Sequence, residues 1–177
     1  MEHFTQGFGI VVGVIAGVIA GTLVTVLIKY IEICRTEKQR EKNLKFELQF
    51  DIKKIESFKA ELSDYRNAVA GDALKTYYGY FAFTKLIYAT LQSMYSDGSL
   101  YKLFDKTDDL AKLQKALSNY YGDSEVNFNK KIKENTRMCG TEKWQEVKPE
   151  IIAYIRFWDK SFQEDIDTLK DFLDKLQ

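Results

Sequence analysis

One short segment of the sequence, residues 130–143 (KKIKENTRMCGTEK), carries five basic side chains against two acidic ones. Arginine binds phosphate with a bidentate fork, and lysine binds it as a point charge. Tyr121 lies just upstream, and an aromatic ring offers a face on which a nucleotide base can stack. The segment therefore predicts a binding patch for a phosphate-bearing ligand, formed by Lys130, Lys131, Lys133, Arg137 and Tyr121.

The distribution of charge along the chain leaves simpler explanations for this basic segment open. The 26 Lys and Arg residues are matched by 26 Asp and Glu residues, which argues against a protein that coats DNA or RNA. The stretch from Asp159 to the end holds six acids and three lysines. The basic segment can therefore be a solvated helix face, or it can meet the acidic end. The tyrosine can pack in the core with its hydroxyl at the rim.

The residue types needed for common catalytic sites are missing. The single histidine is His3, so residues 29–177 contain none. This excludes Ser-His-Asp and Cys-His catalysis, zinc sites with histidine and Glu-x-x-His di-iron sites from that part. Cys34 and Cys139 are too few for a zinc site of sulfur ligands, and neither glycine-rich nucleotide fingerprint occurs. We therefore expect no enzyme, no metal and no cofactor.

An uncharged segment precedes all of these residues. Residues 8–28 (FGIVVGVIAGVIAGTLVTVLI) hold no charged side chain, and as a helix they would span roughly 31 Å, close to the hydrocarbon thickness of a bilayer. A buried core helix rarely stays apolar for so long. A cleaved signal peptide would have a basic start, which residues 1–7 lack. The segment predicts a transmembrane helix.

The charges beside this segment predict its orientation. Six basic residues lie within 29–45, and none lies within 1–7. Because cationic flanks stay on the cytoplasmic side, residues 1–7 would form a short extracytoplasmic tail and residues 29–177 a cytosolic domain. The predicted location is the inner, cytoplasmic membrane, crossed once with the N-terminus outside.

Four glycines recur at every fourth position of the segment: Gly9, Gly13, Gly17 and Gly21. On a helix such steps stay near one face, where a second backbone can approach closely. The stripe predicts self-association into a homo-oligomer. The alternative is that glycine is simply frequent in membrane helices.

The rest of the chain predicts an all-α fold, in which the transmembrane helix continues into a cytosolic helical bundle. One proline occurs, Pro149, and no stretch alternates as a strand would. We expect a long helix from Tyr30 to the turn at Gly71-Asp72, with Asp72 as N-cap of an aromatic-rich helix over 73–95. Further helices are expected from Thr107 to Gly122, from Ser124 to Met138, and after Pro149. The last carries an apolar stripe of eight residues: Ile151, Ile155, Trp158, Phe162, Ile166, Leu169, Leu173 and Leu176.

The layout resembles the small single-pass membrane effectors of bacterial type III CRISPR antiviral defence. The resemblance rests on the glycine stripe from Gly9 to Gly21, the charged helix after Lys29 and the histidine-free helical domain with its basic patch. It implies a tetramer whose cytosolic domain binds cyclic tetra-adenylate and which perturbs the membrane in antiviral defence. A cyclic ligand suits a symmetric oligomer, because one central site collects the same cations from every subunit.

Two other functions fit the same features. One is a membrane-tethered helical module that binds another protein. The other is a subunit of a larger membrane complex, in which the glycine stripe packs against a different helix.

Overall fold

The chain is almost entirely helical. The structure, a computed structural model, describes the backbone of residues 2–104, 107–120 and 122–176 and the side chains of residues 22–104, 108–120 and 122–176. Helix accounts for 83% of the chain, and the described residues include no strand, so the predicted all-α class is confirmed. The five α-helices are α1 (Glu2–Ala70), α2 (Ala89–Ser96), α3 (Thr107–Ser118), α4 (Ser124–Met138) and α5 (Trp144–Lys175).

Two compact units divide the chain, residues 1–42 and residues 43–177. The first belongs to α1, and its described apolar side chains are exposed to solvent, including Leu23, Val24, Val26 and Leu27. The second unit, which we call the bundle, contains the rest of α1 and the other helices. Short 3-10 turns connect them at Leu74–Thr76, Phe83–Lys85 and Ser99–Leu103.

The predicted membrane location is wrong. Over the residues that the structure describes, no helix combines the length and the apolar character that crossing a bilayer requires. Residues 22–28 are the part of the predicted span with described side chains, and as helix they cover only about 10 Å before the charges of Lys29 and Glu32.

The four glycines of the predicted oligomerisation stripe lie outside the described side chains. Gly9, Gly13, Gly17 and Gly21 belong to α1, but their surroundings are not part of the described structure. Their proposed role in self-association therefore stays a prediction.

The core of the bundle is built on the apolar faces of α1 and α5. Along α1 the buried positions are separated by three or four residues, which keeps them on one face: Leu44, Leu48, Ile52, Ile55, Phe58, Leu62, Tyr65 and Val69. Along α5, five members of the predicted stripe are buried, namely Ile151, Ile155, Phe162, Ile166 and Leu169. Trp158, Leu173 and Leu176 pack against the core while partly exposed.

The predicted helix over 73–95 is wrong. Only its end is α-helical, as α2, and residues 77–88 cross the bundle as an extended segment with one 3-10 turn. We call these residues the strap. Phe81 and Phe83 of the strap are completely buried. The Phe83 ring lies 5.2 Å from that of Phe58 and 5.3 Å from that of Tyr120, so it occupies the centre of an aromatic cluster.

Side chains from other elements replace the hydrogen bonds that a helix would have made in the strap. The Asn129 amide accepts from the Phe81 N–H at 3.0 Å and donates to the Phe81 carbonyl at 2.8 Å. Asp51 accepts from the Ile87 N–H at 2.9 Å. Glu47 accepts from the first-turn N–H groups of α2, at Thr90 and Leu91. A buried backbone group must be paired, and these polar contacts make the irregular path possible.

The turn at Gly71-Asp72 ends α1 as predicted, but Asp72 does not cap a following helix. Its backbone has a positive φ of 55°. Its carboxylate accepts hydrogen bonds from Trp144 at 2.5 Å and from Lys148 at 2.7 Å. These contacts hold the first turn of α5, which begins at Trp144. Pro149 therefore lies in the second turn of the helix rather than at its start.

We predict that Asn129→Ala destabilises the bundle by about 3 kcal/mol, because it leaves the buried N–H and carbonyl of Phe81 unpaired. Asn127→Ala on the same helix is the matched control, since Asn127 is exposed. Urea unfolding followed by circular dichroism measures both. Equal midpoints for the two variants would show that the amide is not needed to hold the strap.

Candidate functional site

Four of the five predicted binding residues are exposed positions of α4. Lys130, Lys133 and Arg137 are spaced by three and four residues and are exposed, so they form one row, which we call the basic stripe. Lys131 is also exposed and lies about 100° further round the helix. Tyr121, the fifth predicted site residue, lies outside the described residues.

The basic stripe is not neutralised by ion pairs. Within the described part of the chain, no acidic side chain forms a salt bridge with Lys130, Lys133 or Arg137. Glu134 shares this face without pairing with a stripe residue. The stripe extends about 10 Å along the helix axis, at 1.5 Å per residue. Its cations are available to an anion longer than a single phosphate group.

The structure adds an aromatic side chain that sequence spacing did not indicate. The hydroxyl of Tyr80, in the strap, donates a 2.7 Å hydrogen bond to Glu125 in the first turn of α4. Tyr80 as a residue remains 58% exposed. Tyr78, two residues earlier in the strap, is 89% exposed. The two residues in contact, Tyr80 and Glu125, are 45 positions apart, so no local pattern could have joined them.

Glu125 holds both the ring and the backbone of the strap. Its second oxygen accepts from the Thr84 N–H at 2.8 Å. Burial raises the pKa of Glu125, but the hydrogen bonds from Thr84 and Tyr80 outweigh that effect and lower the pKa below its usual value. The same hydrogen bond raises the pKa of Tyr80. A charged carboxylate in the first turn of α4 therefore fixes a neutral, exposed tyrosine.

The buried carboxylates of the bundle accept hydrogen bonds from backbone and side-chain groups. Glu47 and Asp51 lie one turn apart on α1, and both accept backbone hydrogen bonds from residues 87–91. Asp165 accepts from Asn119 at 3.1 Å and from Tyr120 at 2.8 Å. Among the described side chains, no group of His, Cys, Asp and Glu could hold a metal ion.

A separate apolar cavity of about 350 Å³ lies between α2 and α3. It has no charged lining residue, so it does not suit a phosphate ligand. Its wall is formed mainly by leucines: Leu91, Leu100, Leu110, Leu113 and Leu117.

Comparison of the chain with protein-family models, curated proteins and solved structures gives no match. The resemblance to CRISPR membrane effectors therefore stays a prediction.

The buried carboxyl group of Asp51 predicts that the stability of the bundle depends on pH. Burial raises its pKa, the hydrogen bond from Ile87 partly offsets this and the charge of Glu47 adds to it, so the pKa reaches about 7 against an ordinary 3.8. The folded chain thus binds this proton more tightly than the unfolded chain. The free energy of unfolding should fall as pH rises from about 4 to about 7, by about 4 kcal/mol.

Asp51→Asn should remove this pH dependence and raise stability at pH 8, because the amide stands in for the protonated acid. Asp64→Asn, at an exposed position of α1, is the matched control and should keep the wild-type slope. Denaturant unfolding at pH 5 and pH 8 measures the effect. The same slope in Asp51→Asn as in the wild type would refute the assignment to Asp51.

Proposed function

We propose that the bundle is a binding domain for an oligonucleotide ligand and that the chain acts by binding rather than by catalysis. The resemblance stated above makes cyclic tetra-adenylate the first ligand to test. The observation that carries the proposal is the exposed Tyr80 ring, fixed by Glu125 at the start of the same helix that presents the basic stripe.

The Tyr80 ring and the basic stripe each match one part of a nucleotide. Arg137 can bind a phosphate with two parallel hydrogen bonds, while Lys130 and Lys133 supply point charges. Stacking of a base on an aromatic ring contributes about 1–3 kcal/mol. Because Tyr80 is already held by Glu125, less ordering of its side chain is needed on binding.

The shape of the surface favours an oligonucleotide over a single nucleotide. The basic stripe is an exposed helix face about 10 Å long, which several phosphates can follow but which does not enclose a small ligand. A homo-oligomer would bring several copies of the stripe to one cyclic ligand. The alternative is a helical module that binds another protein, and it uses the same face.

The proposal is tested by titrating the full chain with cyclic tetra-adenylate and with linear tetra-adenylate in a calorimeter. We expect Lys133→Gln with Arg137→Gln to weaken binding by at least about tenfold, because charge-assisted hydrogen bonds are lost. Lys53→Gln with Lys112→Gln removes the same charge from exposed positions of α1 and α3 and should change little. If four chains surround one cyclic ligand, the titration should give a stoichiometry of one ligand to four chains.

Salt dependence and a tyrosine variant separate specific contacts from general attraction. Losing two phosphate contacts should reduce the slope of log affinity against log salt by about 1.4. Tyr80→Ala should weaken binding by about tenfold, and Tyr80→Phe by much less, since it keeps the ring. The absence of binding to either oligonucleotide, or equal affinity in the stripe variant and its control, would overturn the proposal and favour the protein-binding alternative.

A further inference from the structure

A second cationic surface lies between α1 and α5, and sequence spacing gave no sign of it. A groove of about 280 Å³ runs where these helices pack, over the buried side chains of Leu62 and Ile155. Its polar lining comes from both helices: Lys59, Ser63 and Arg66 from α1, and Arg156 and Asp159 from α5. Three cations therefore face one carboxylate.

Helix geometry explains why these residues meet. Lys59, Ser63 and Arg66 are spaced by four and three residues, so they follow one edge of the α1 face that is buried in the core. Arg156 follows the buried Ile155, and Asp159 lies three residues further on α5. The apolar packing of α1 on α5 thus fixes the distance between the two rows of polar side chains.

One of the three cations is engaged with α5. The Lys59 ammonium donates a 2.6 Å hydrogen bond to Gln163 and lies 3.7 Å from the Asp159 carboxylate. These contacts cross from one helix to the other and also use the only acid in the groove lining.

The two arginines of the groove, unlike Lys59, have no such partner. Neither Arg66 nor Arg156 forms an ion pair or a side-chain hydrogen bond with another described residue, and both are exposed. Two guanidinium groups from separate helices therefore line one concave surface without a counter-charge of their own. An anion placed between them would relieve their repulsion and meet two rigid hydrogen-bonding forks.

We infer that this groove binds a small ligand through a phosphate or diphosphate group. The lining carries a net charge of two positive units, from three cations and one carboxylate, which matches the charge of a phosphate dianion. Arg66 and Arg156 hold the phosphate oxygens, and the Ser63 hydroxyl supplies a further donor. The volume lies just below the usual 300–1,000 Å³ of small-molecule pockets, so the organic part of the ligand is small.

The groove and the basic stripe are separate sites, and this inference does not depend on the proposed oligonucleotide function. The stripe lies on the solvent face of α4, whereas the groove is lined by α1 and α5 alone. Their ligands also differ in size, because the groove is concave and short.

The test uses the full chain with inorganic phosphate and pyrophosphate as probes, titrated in a calorimeter at fixed ionic strength. We expect saturable binding, tighter for pyrophosphate than for sulfate or chloride. Arg66→Gln with Arg156→Gln should weaken binding by about 100-fold, at about tenfold for each charge-assisted contact. Arg66→Lys with Arg156→Lys keeps the charge but loses the forks and should give an intermediate loss.

Lys133→Gln with Arg137→Gln is the matched control, because it removes the same charge from the basic stripe and should leave pyrophosphate binding unchanged. Conversely, the groove variant should bind tetra-adenylate like the wild type, so failure of one proposal does not imply failure of the other. Wild-type protein that does not bind pyrophosphate, or binds chloride equally well, refutes the groove. So does an unchanged affinity in the glutamine variant. Should that variant unfold, the lysine variant carries the test.

Discussion

The bundle depends on a small set of polar side chains that hold the backbone of the strap. Phe83 lies at the centre of the aromatic cluster, and reaching that place requires residues 77–88 to leave helical geometry inside the protein. Every N–H and carbonyl so released would cost free energy if it stayed unpaired. Asn129 and Glu125 on α4, with Asp51 on α1, supply partners that the strap itself lacks, and Glu47 on α1 pairs the first N–H groups of the following helix α2.

The same contacts determine part of the outer surface. Glu125 reaches the strap backbone with one oxygen and the Tyr80 hydroxyl with the other, so the position of an exposed ring follows from the packing of a buried segment. Asn129, one turn further along α4, accepts a hydrogen bond from the Phe81 N–H of the same segment. Residues of α4 thus face the strap on one side and solvent on the other, where Lys133 and Arg137 lie. A change in the strap would therefore alter the proposed site.

The sequence predicted those elements whose signal is local. The apolar spacing of α5 repeats within the helix and identified five of its buried residues. The strap was missed because its hydrogen-bond partners lie 36 to 48 positions away. Gly79 was an available signal against a helix, because glycine inside a helical pattern is unfavourable. In the fold, a Cβ at this position would meet Tyr77 and Glu61. The basic stripe could be predicted from the composition of residues 130–143. The position of Tyr80 and the groove between α1 and α5 could be recognised only in the folded structure.

The formal net charge of zero conceals a difference in charge between the interior and the surface of the protein. The charged side chains that the structure places in the bundle interior, Glu47, Asp51 and Asp165, are all acids, and none of the described lysines or arginines is buried. Burial also raises the pKa of Asp51 to about 7, which removes part of its charge near neutral pH. Among the described side chains, the surface therefore carries more cations than acids. Binding of anions is thus compatible with zero formal charge, because the acids that would oppose it are used inside to hold the backbone.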